Sequence, residues 1–237
     1  MEKSIKSRSW LKTDQDVAWE AHAQSRPAIP EAQKLATIKP PVHLTLEDQL
    51  LFQKFGQGSF TEVPFSCIHY GFEAQVRKNP DSMAVAHQGE TITYEALNNQ
   101  ANQLAAILHQ HGVTEGGHVG LFVQRSIPMV VGILGILKAG AAYVPQHIGV
   151  APETQLKHVA AKAQMKVILT LKAFEHLVPP SEAYTCLVLE DLIAEMSETN
   201  VPDFIPDRLP LPDTNAFIIF TSGTTGPPNG VQVTHQN

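Results

Sequence analysis

From residue 83 onward the chain alternates short apolar runs with longer stretches of helical periodicity, and this alternation constrains the fold more than any other feature. Residues 83–86 read as a short strand, 88–90 as a turn and 91–93 as a return strand. Thr93 is placed to cap a helix carrying Leu97, Ala101, Leu104, Ala105 and Leu108 at helical spacing, and Gly112 to end it. A strand at 118–123 follows, then a helix opened by Ser126, with Pro128 in its first turn and Gly140 at its end. The series goes on with a strand at 142–144, a helix at 152–164, a strand at 166–170 and a short helix at 171–177. A strand at 185–189, a helix from Asp191, a proline-bearing loop at 201–212 and an apolar strand at 216–220 complete it. The pattern implies an α/β fold: a doubly wound, mainly parallel sheet with helices on both faces. In such sheets a ligand sits beyond the carboxyl ends of the strands.

Ahead of this series, residues 1–43 are polar and without sustained periodicity, so a poorly structured extension is expected there. Residues 44–66 read as a linker with a short helix, capped by Thr45 and carrying Leu46, Leu50 and Leu51 on one face. Residues 67–237 form the expected domain, which opens with an amphipathic helix at 68–77 stopped by Asn79 and Pro80. With 43% hydrophobic and 17% charged residues, the 237-residue chain has the balance of an ordinary globular protein. A net charge of −6 argues against a general nucleic-acid binder. The uncharged run at 127–137 stops at Lys138, well short of the roughly 20 residues a bilayer crossing needs, and is expected as a buried helix. No apolar stretch follows the basic residues of the N-terminus, and the two cysteines, Cys67 and Cys186, stand far apart. No membrane association and a cytoplasmic location with reduced thiols are therefore expected.

The chemistry concentrates in Thr221, Ser222, Gly223, Thr224, Thr225 and Gly226, directly after an apolar strand. Glycines let successive backbone N–H groups turn toward one point and form an anion-binding nest. The four hydroxyls add donors suited to phosphate oxygens. The same run can equally be a polar hairpin, because an alternating strand resumes at 231–233. It is not a Walker A loop, since no Gly-Lys-Ser/Thr follows at the required spacing. Side-chain metal binding is not expected. His109 and His111 are two apart on a helix and point in different directions, and His147, His158, His176 and His235 lack carboxylate or thiol partners at ligand spacing.

The string FTSGTTGPPNGVQVTH at 220–235 resembles the phosphate-loop signature of the AMP-forming acyl-adenylating superfamily. ITYEALNNQANQL at 92–104, LKAGAAYVP at 137–145 and CIHYGFEAQV at 67–76 are similar to the amino-acid adenylation domains of nonribosomal peptide synthetases. The resemblance implies that 67–237 is a partial adenylation domain of an enzyme that activates a carboxylic acid with ATP and Mg²⁺ and releases pyrophosphate. It implies that Thr221, Ser222, Gly223, Thr224, Thr225 and Gly226 hold the ATP phosphates. The partners it implies are a small carboxylic acid, an amino acid by these motifs, and a carrier-protein thiol.

The chain departs from the family's pattern in three places. Asn229 stands where the family usually has lysine, and His147 and Gln155 stand where it tends to carry an acidic residue and an arginine. The last residue, Asn237, follows the loop closely, so the family's acid pocket, adenine contacts and catalytic lysine have no counterpart in these residues. No catalytic residue is assigned, and the 237 residues alone are expected to be inactive. The alternative is a non-catalytic nucleotide- or partner-binding remnant. Open strand edges are expected to make the chain poorly soluble or partly molten.

Overall fold

Side-chain hydroxyls set where the main helices begin. Thr45 accepts a hydrogen bond from the Asp48 N–H at 3.2 Å at the head of α1 (Leu46–Phe55). The computed structural model describes residues 44–56, 64–196, 201–221 and 228–237, so the extension expected at 1–43 lies outside the described residues. The chain divides into two units, Met1–Pro64, which contains α1, and Phe65–Asn237.

In the second unit α2 (Ile68–Lys78) precedes a hairpin of β1 (Met83–His87) and β2 (Glu90–Thr93). Gln88 and Gly89 close it with φ of 50° and 89°, the two left-handed residues that a type I′ turn requires. Thr93 caps α3 (Tyr94–Gln110) by accepting from the Ala96 N–H, and Ser126 caps α4 (Ile127–Lys138) by accepting from the Met129 N–H. Both helices end as the sequence predicts, on Gly112 and Gly140 in the left-handed region. Val113 N–H bonds to Leu108 O at 3.0 Å, and Ala141 N–H to Ile136 O at 3.1 Å, which closes a Schellman turn at each end.

The central sheet contains β3 (His118–Val123), β4 (Ala142–His147), β5 (Val167–Thr170), β6 (Thr185–Val188), β7 (Asn215–Thr221) and β8 (Asn229–Thr234). Their order is β6-β5-β3-β4-β7-β8, parallel throughout except for the antiparallel β7–β8 pair. Helix α5 (Glu153–Lys162) connects β4 to β5, a 3₁₀ turn at Lys172–Leu177 connects β5 to β6, and α6 (Leu189–Glu195) follows β6. The expected mainly parallel α/β sheet is therefore present. The crossovers from β3 to β4 and from β4 to β5 step in opposite directions across the sheet and use opposite faces, as a constant right-handed sense demands.

Several element ends differ from the sequence reading by one or more residues, and two of them bear on the packing. Strand β4 runs through Pro145 to His147 instead of stopping at Val144, paired with β3 along its whole length. It meets β7 only at Tyr143↔Phe217, so beyond that point its second edge carries little of the ladder that a proline would interrupt. Leu189 opens α6 rather than ending β6, and it is fully buried among the helices.

One face of the sheet packs Val119, Leu121 and Leu169 against Leu104 of α3 and Val131 of α4. The two helices approach so closely that a Cβ on Gly135 would lie 2.7 Å from Leu104. The other face packs Phe122, Val144, Ile168 and Ile218 against Leu156 and Val159 of α5. Each such buried side chain contributes about 1.5–3 kcal/mol. At the end of α4, Lys138 is 1% exposed; its ammonium contacts the Glu73 carboxylate of α2 and lies 3.7 Å from Asp203. Asp203 also accepts from the Asn98 and Asn102 amides of α3 at 3.0 and 2.9 Å. Burial pushes the Asp203 carboxyl up, but Lys138, the two amides and Arg77 outweigh it and hold it below the ordinary carboxylate range. This polar knot ties the proline-bearing segment, which leads into β7, onto three helices. Among the described residues no helix is long and apolar enough to cross a membrane.

Candidate functional site

Strand β7 enters the sheet with Ala216 and Ile218 buried and ends at the exposed Thr221. Strand β8 returns beside it in the register Ile218↔Gln232, Phe220↔Gly230 and Thr221↔Asn229. The hydroxyl- and glycine-rich run thus lies between two antiparallel strands, as the hairpin reading expects, and follows the carboxyl end of a strand of the parallel sheet. Of the candidate residues, Thr221 sits at the closing pair. Ser222, Gly223, Thr224, Thr225 and Gly226 lie outside the described residues. Gly230 has a packing reason: a Cβ there would come within 2.9 Å of Ile218 and 3.1 Å of the Phe220 ring.

Asn229, the residue in place of the family's lysine, is exposed opposite Thr221. His147 is exposed at the carboxyl end of β4, while Gln146 beside it is buried. Gln155 of α5 donates its amide to Gln146 Oε1 at 2.9 Å rather than to His147. Of the two positions where the resembled pattern tends to be charged, His147 is exposed and Gln155 bonds to Gln146. His158, one turn further along α5, bonds through Nε2 to the Pro228 carbonyl at 3.0 Å. A carbonyl only accepts, so Nε2 carries the proton. The sequence signals neither partner, because Pro228 lies 70 positions away and His158 shows no ligand spacing.

The exposed groups at this end of the sheet fit a phosphate. The Thr221 hydroxyl and the Asn229 amide are neutral donors, and the sheet's carboxyl edge is where a doubly wound fold receives ligands. Among the described residues no three His, Cys, Asp or Glu side chains converge. A Mg²⁺ ion that accompanies a triphosphate is held largely through the phosphates themselves.

The sequence profile of the AMP-binding enzyme family matches residues 72–237. Adenylate-forming reductase 06235 of Coprinopsis cinerea is 42% identical over 201 residues, which make up 82% of this chain and 19% of that protein. Gramicidin S synthase 2 of Brevibacillus brevis is 36% identical over 191 residues, 81% of this chain and 4% of that one. The solved structure of the nonribosomal peptide synthetase FmoA3 in its AMPPNP-bound form superposes with a TM-score of 0.69 at 26% identity, covering 81% of this chain and 20% of that one. The chain therefore spans about a fifth, or less, of the length of these relatives. It belongs to the AMP-binding enzyme family and matches the N-terminal portion of an adenylation domain of the nonribosomal peptide synthetase kind.

Proposed function

We propose that this chain supplies the phosphate-holding part of an ATP-dependent enzyme that activates a carboxylic acid as an acyl-adenylate and releases pyrophosphate. One observation carries this reading: in a member of the AMP-binding family, the run 221–226 starts at the carboxyl end of β7 and is closed by the Thr221↔Asn229 pair. In this role Thr221, Ser222, Thr224 and Thr225 donate hydroxyls, and Gly223 and Gly226 present backbone N–H groups, to the β- and γ-phosphates. ATP, with Mg²⁺, brings the α-phosphorus that the carboxylate attacks and the leaving pyrophosphate. The protein's contribution is to position the phosphates and balance their charge. The acid is an amino acid by the motifs at 92–104 and 137–145, the acceptor a carrier-protein thiol, and the setting cytoplasmic. Residues 1–43 act as an extension, 44–66 as a linker and 67–237 as the partial adenylation domain. The AMPPNP-bound form of the similar FmoA3 supports a nucleoside triphosphate as the ligand.

A second reading, a non-catalytic nucleotide- or partner-binding remnant, is favoured by His147 and Gln155 in place of an acidic residue and an arginine, and by Asn229, which brings no positive charge to the phosphates. Calorimetric titration with Mg·ATP tests the phosphate loop, and pyrophosphate exchange separates the two readings. The 237-residue chain should bind, Gly223→Pro should abolish binding, and Asn229→Lys should tighten it by about three- to tenfold through a charge-assisted contact. Equal binding by Gly223→Pro would end the phosphate-loop reading. ATP–pyrophosphate exchange with a panel of amino and aryl acids should stay at background for these 237 residues. Exchange in a longer polypeptide containing them supports the first reading, and nucleotide binding without exchange there supports the second.

A further inference from the structure

The hairpin that carries the phosphate run is fastened to α5 on both of its legs. On the leading leg, Ile218 is buried in the cluster built on Leu156, Val159 and Ala160, and Phe220 packs against the same cluster. On the trailing leg, the Pro228 carbonyl accepts from His158 Nε2 at 3.0 Å. Pro228 has its φ fixed by the ring, so the freedom left on the approach to Asn229 is rotation about ψ, which turns the Pro228 carbonyl. A trans peptide holds its carbonyl and N–H in opposite directions. Fixing the Pro228 carbonyl toward α5 therefore also fixes the direction of the Asn229 N–H, in the residue that closes the loop against Thr221. His158 is half-buried, lies outside the close-packed interior and, among the described residues, makes this one polar contact with the hairpin.

We propose that His158 is a positioning residue for the phosphate run: it sets the trailing leg, from Pro228 to the Thr221↔Asn229 pair that closes the run. The proposal rests on the reading of 221–226 as phosphate-holding. His158 touches no phosphate itself, and its effect passes through the Pro228–Asn229 peptide.

Two measurements on the 237-residue chain test it, each on the wild type, His158→Leu and His158→Gln. The glutamine amide reaches about as far as imidazole Nε2 and can still donate. In the absence of nucleotide, amide hydrogen exchange at Asn229 and Gly230 should speed up in His158→Leu and return to the wild-type rate in His158→Gln, with the thermal midpoint of both variants near that of the wild type. Mg·ATP affinity should fall by about three- to tenfold in His158→Leu and recover in His158→Gln, as the loss of one hydrogen bond predicts. Unchanged exchange in His158→Leu overturns the anchor. Faster exchange with unchanged affinity overturns the positioning role. Loss of affinity that His158→Gln fails to restore also overturns it, because the loss then comes from altered packing. If Gly223→Pro leaves Mg·ATP binding intact, the phosphate reading fails and takes the positioning role with it, while the exchange rates still report the contact. If Gly223→Pro abolishes binding and His158→Leu does not weaken it, only the His158 inference falls.

Discussion

His69 and His235 meet where α2 joins the end of β8, with ring centroids 5.7 Å apart and the Tyr70 ring 4.3 Å from His69. The Ile68 N–H donates to His235 Nδ1 at 3.2 Å, so that nitrogen is unprotonated in the fold. Burial holds the His235 imidazole down to about 4 from the usual 6.5. Burial also holds His69 well below its usual value, with Lys138 and His235 adding repulsion. Between pH 6.5 and 4 the unfolded chain thus binds protons that the folded chain does not, and stability falls as the pH falls through that window. His235→Asn keeps an acceptor for Ile68 and removes one titrating group. Thermal melts should show a shallower decline from pH 6.5 to 4 in His235→Asn than in the wild type, with similar midpoints at about pH 7.5, above the window in which the imidazole titrates. An equally steep decline in both would show that His235 is not a source of the acid sensitivity.

Helix ends show how far local chemistry determines the elements. Helices α3 and α4 close on Gly112 and Gly140, whereas α5 makes the same turn on Gln164, a non-glycine residue at φ 51°. Its backbone bonds match theirs: Met165 N–H to Ala160 O at 3.2 Å and Gln164 N–H to Ala161 O at 3.1 Å. The Gln164 side chain is exposed. Replacing it by glycine relieves the left-handed penalty of about 1–2 kcal/mol, offset by about 0.5–1 kcal/mol of added backbone entropy in the unfolded chain. Gln164→Gly should therefore raise unfolding free energy by up to about 1.5 kcal/mol, read as a higher urea midpoint at constant slope. A lower midpoint would refute the strain at this turn. These boundaries were legible because a cap needs only residues three or four positions apart, as Thr93 with Ala96 and Ser126 with Met129 show. The knot at Lys138 was not, since Glu73 and Asp203 are each 65 positions away and no local spacing announces them. The phosphate run was legible as composition, but its anchoring to α5 depends on His158 and Pro228, which only the folded sheet brings together.

At the scale of the whole molecule, the unit Phe65–Asn237 has a buried cluster on each face of its sheet, which argues for a folded chain rather than a partly molten one. Its association behaviour is a separate question, set by the last hairpin. Among the described residues β8 pairs only with β7, and its other edge is unpaired. Ile219 and Val231 face each other across that hairpin and are 44% and 51% exposed, so an apolar cross-strand pair lies beside an open row of backbone donors and acceptors. Such an edge is a template for adding another strand, and a lysine on it disfavours the addition. The 237 residues expressed alone should form concentration-dependent oligomers by light scattering. Val231→Lys should shift them toward monomer, with a thermal midpoint near the wild type's because the replaced side chain is half in solvent. A wild-type chain that stays monomeric as concentration rises would contradict the edge argument. Oligomers that persist unchanged in Val231→Lys would move the contact away from β8.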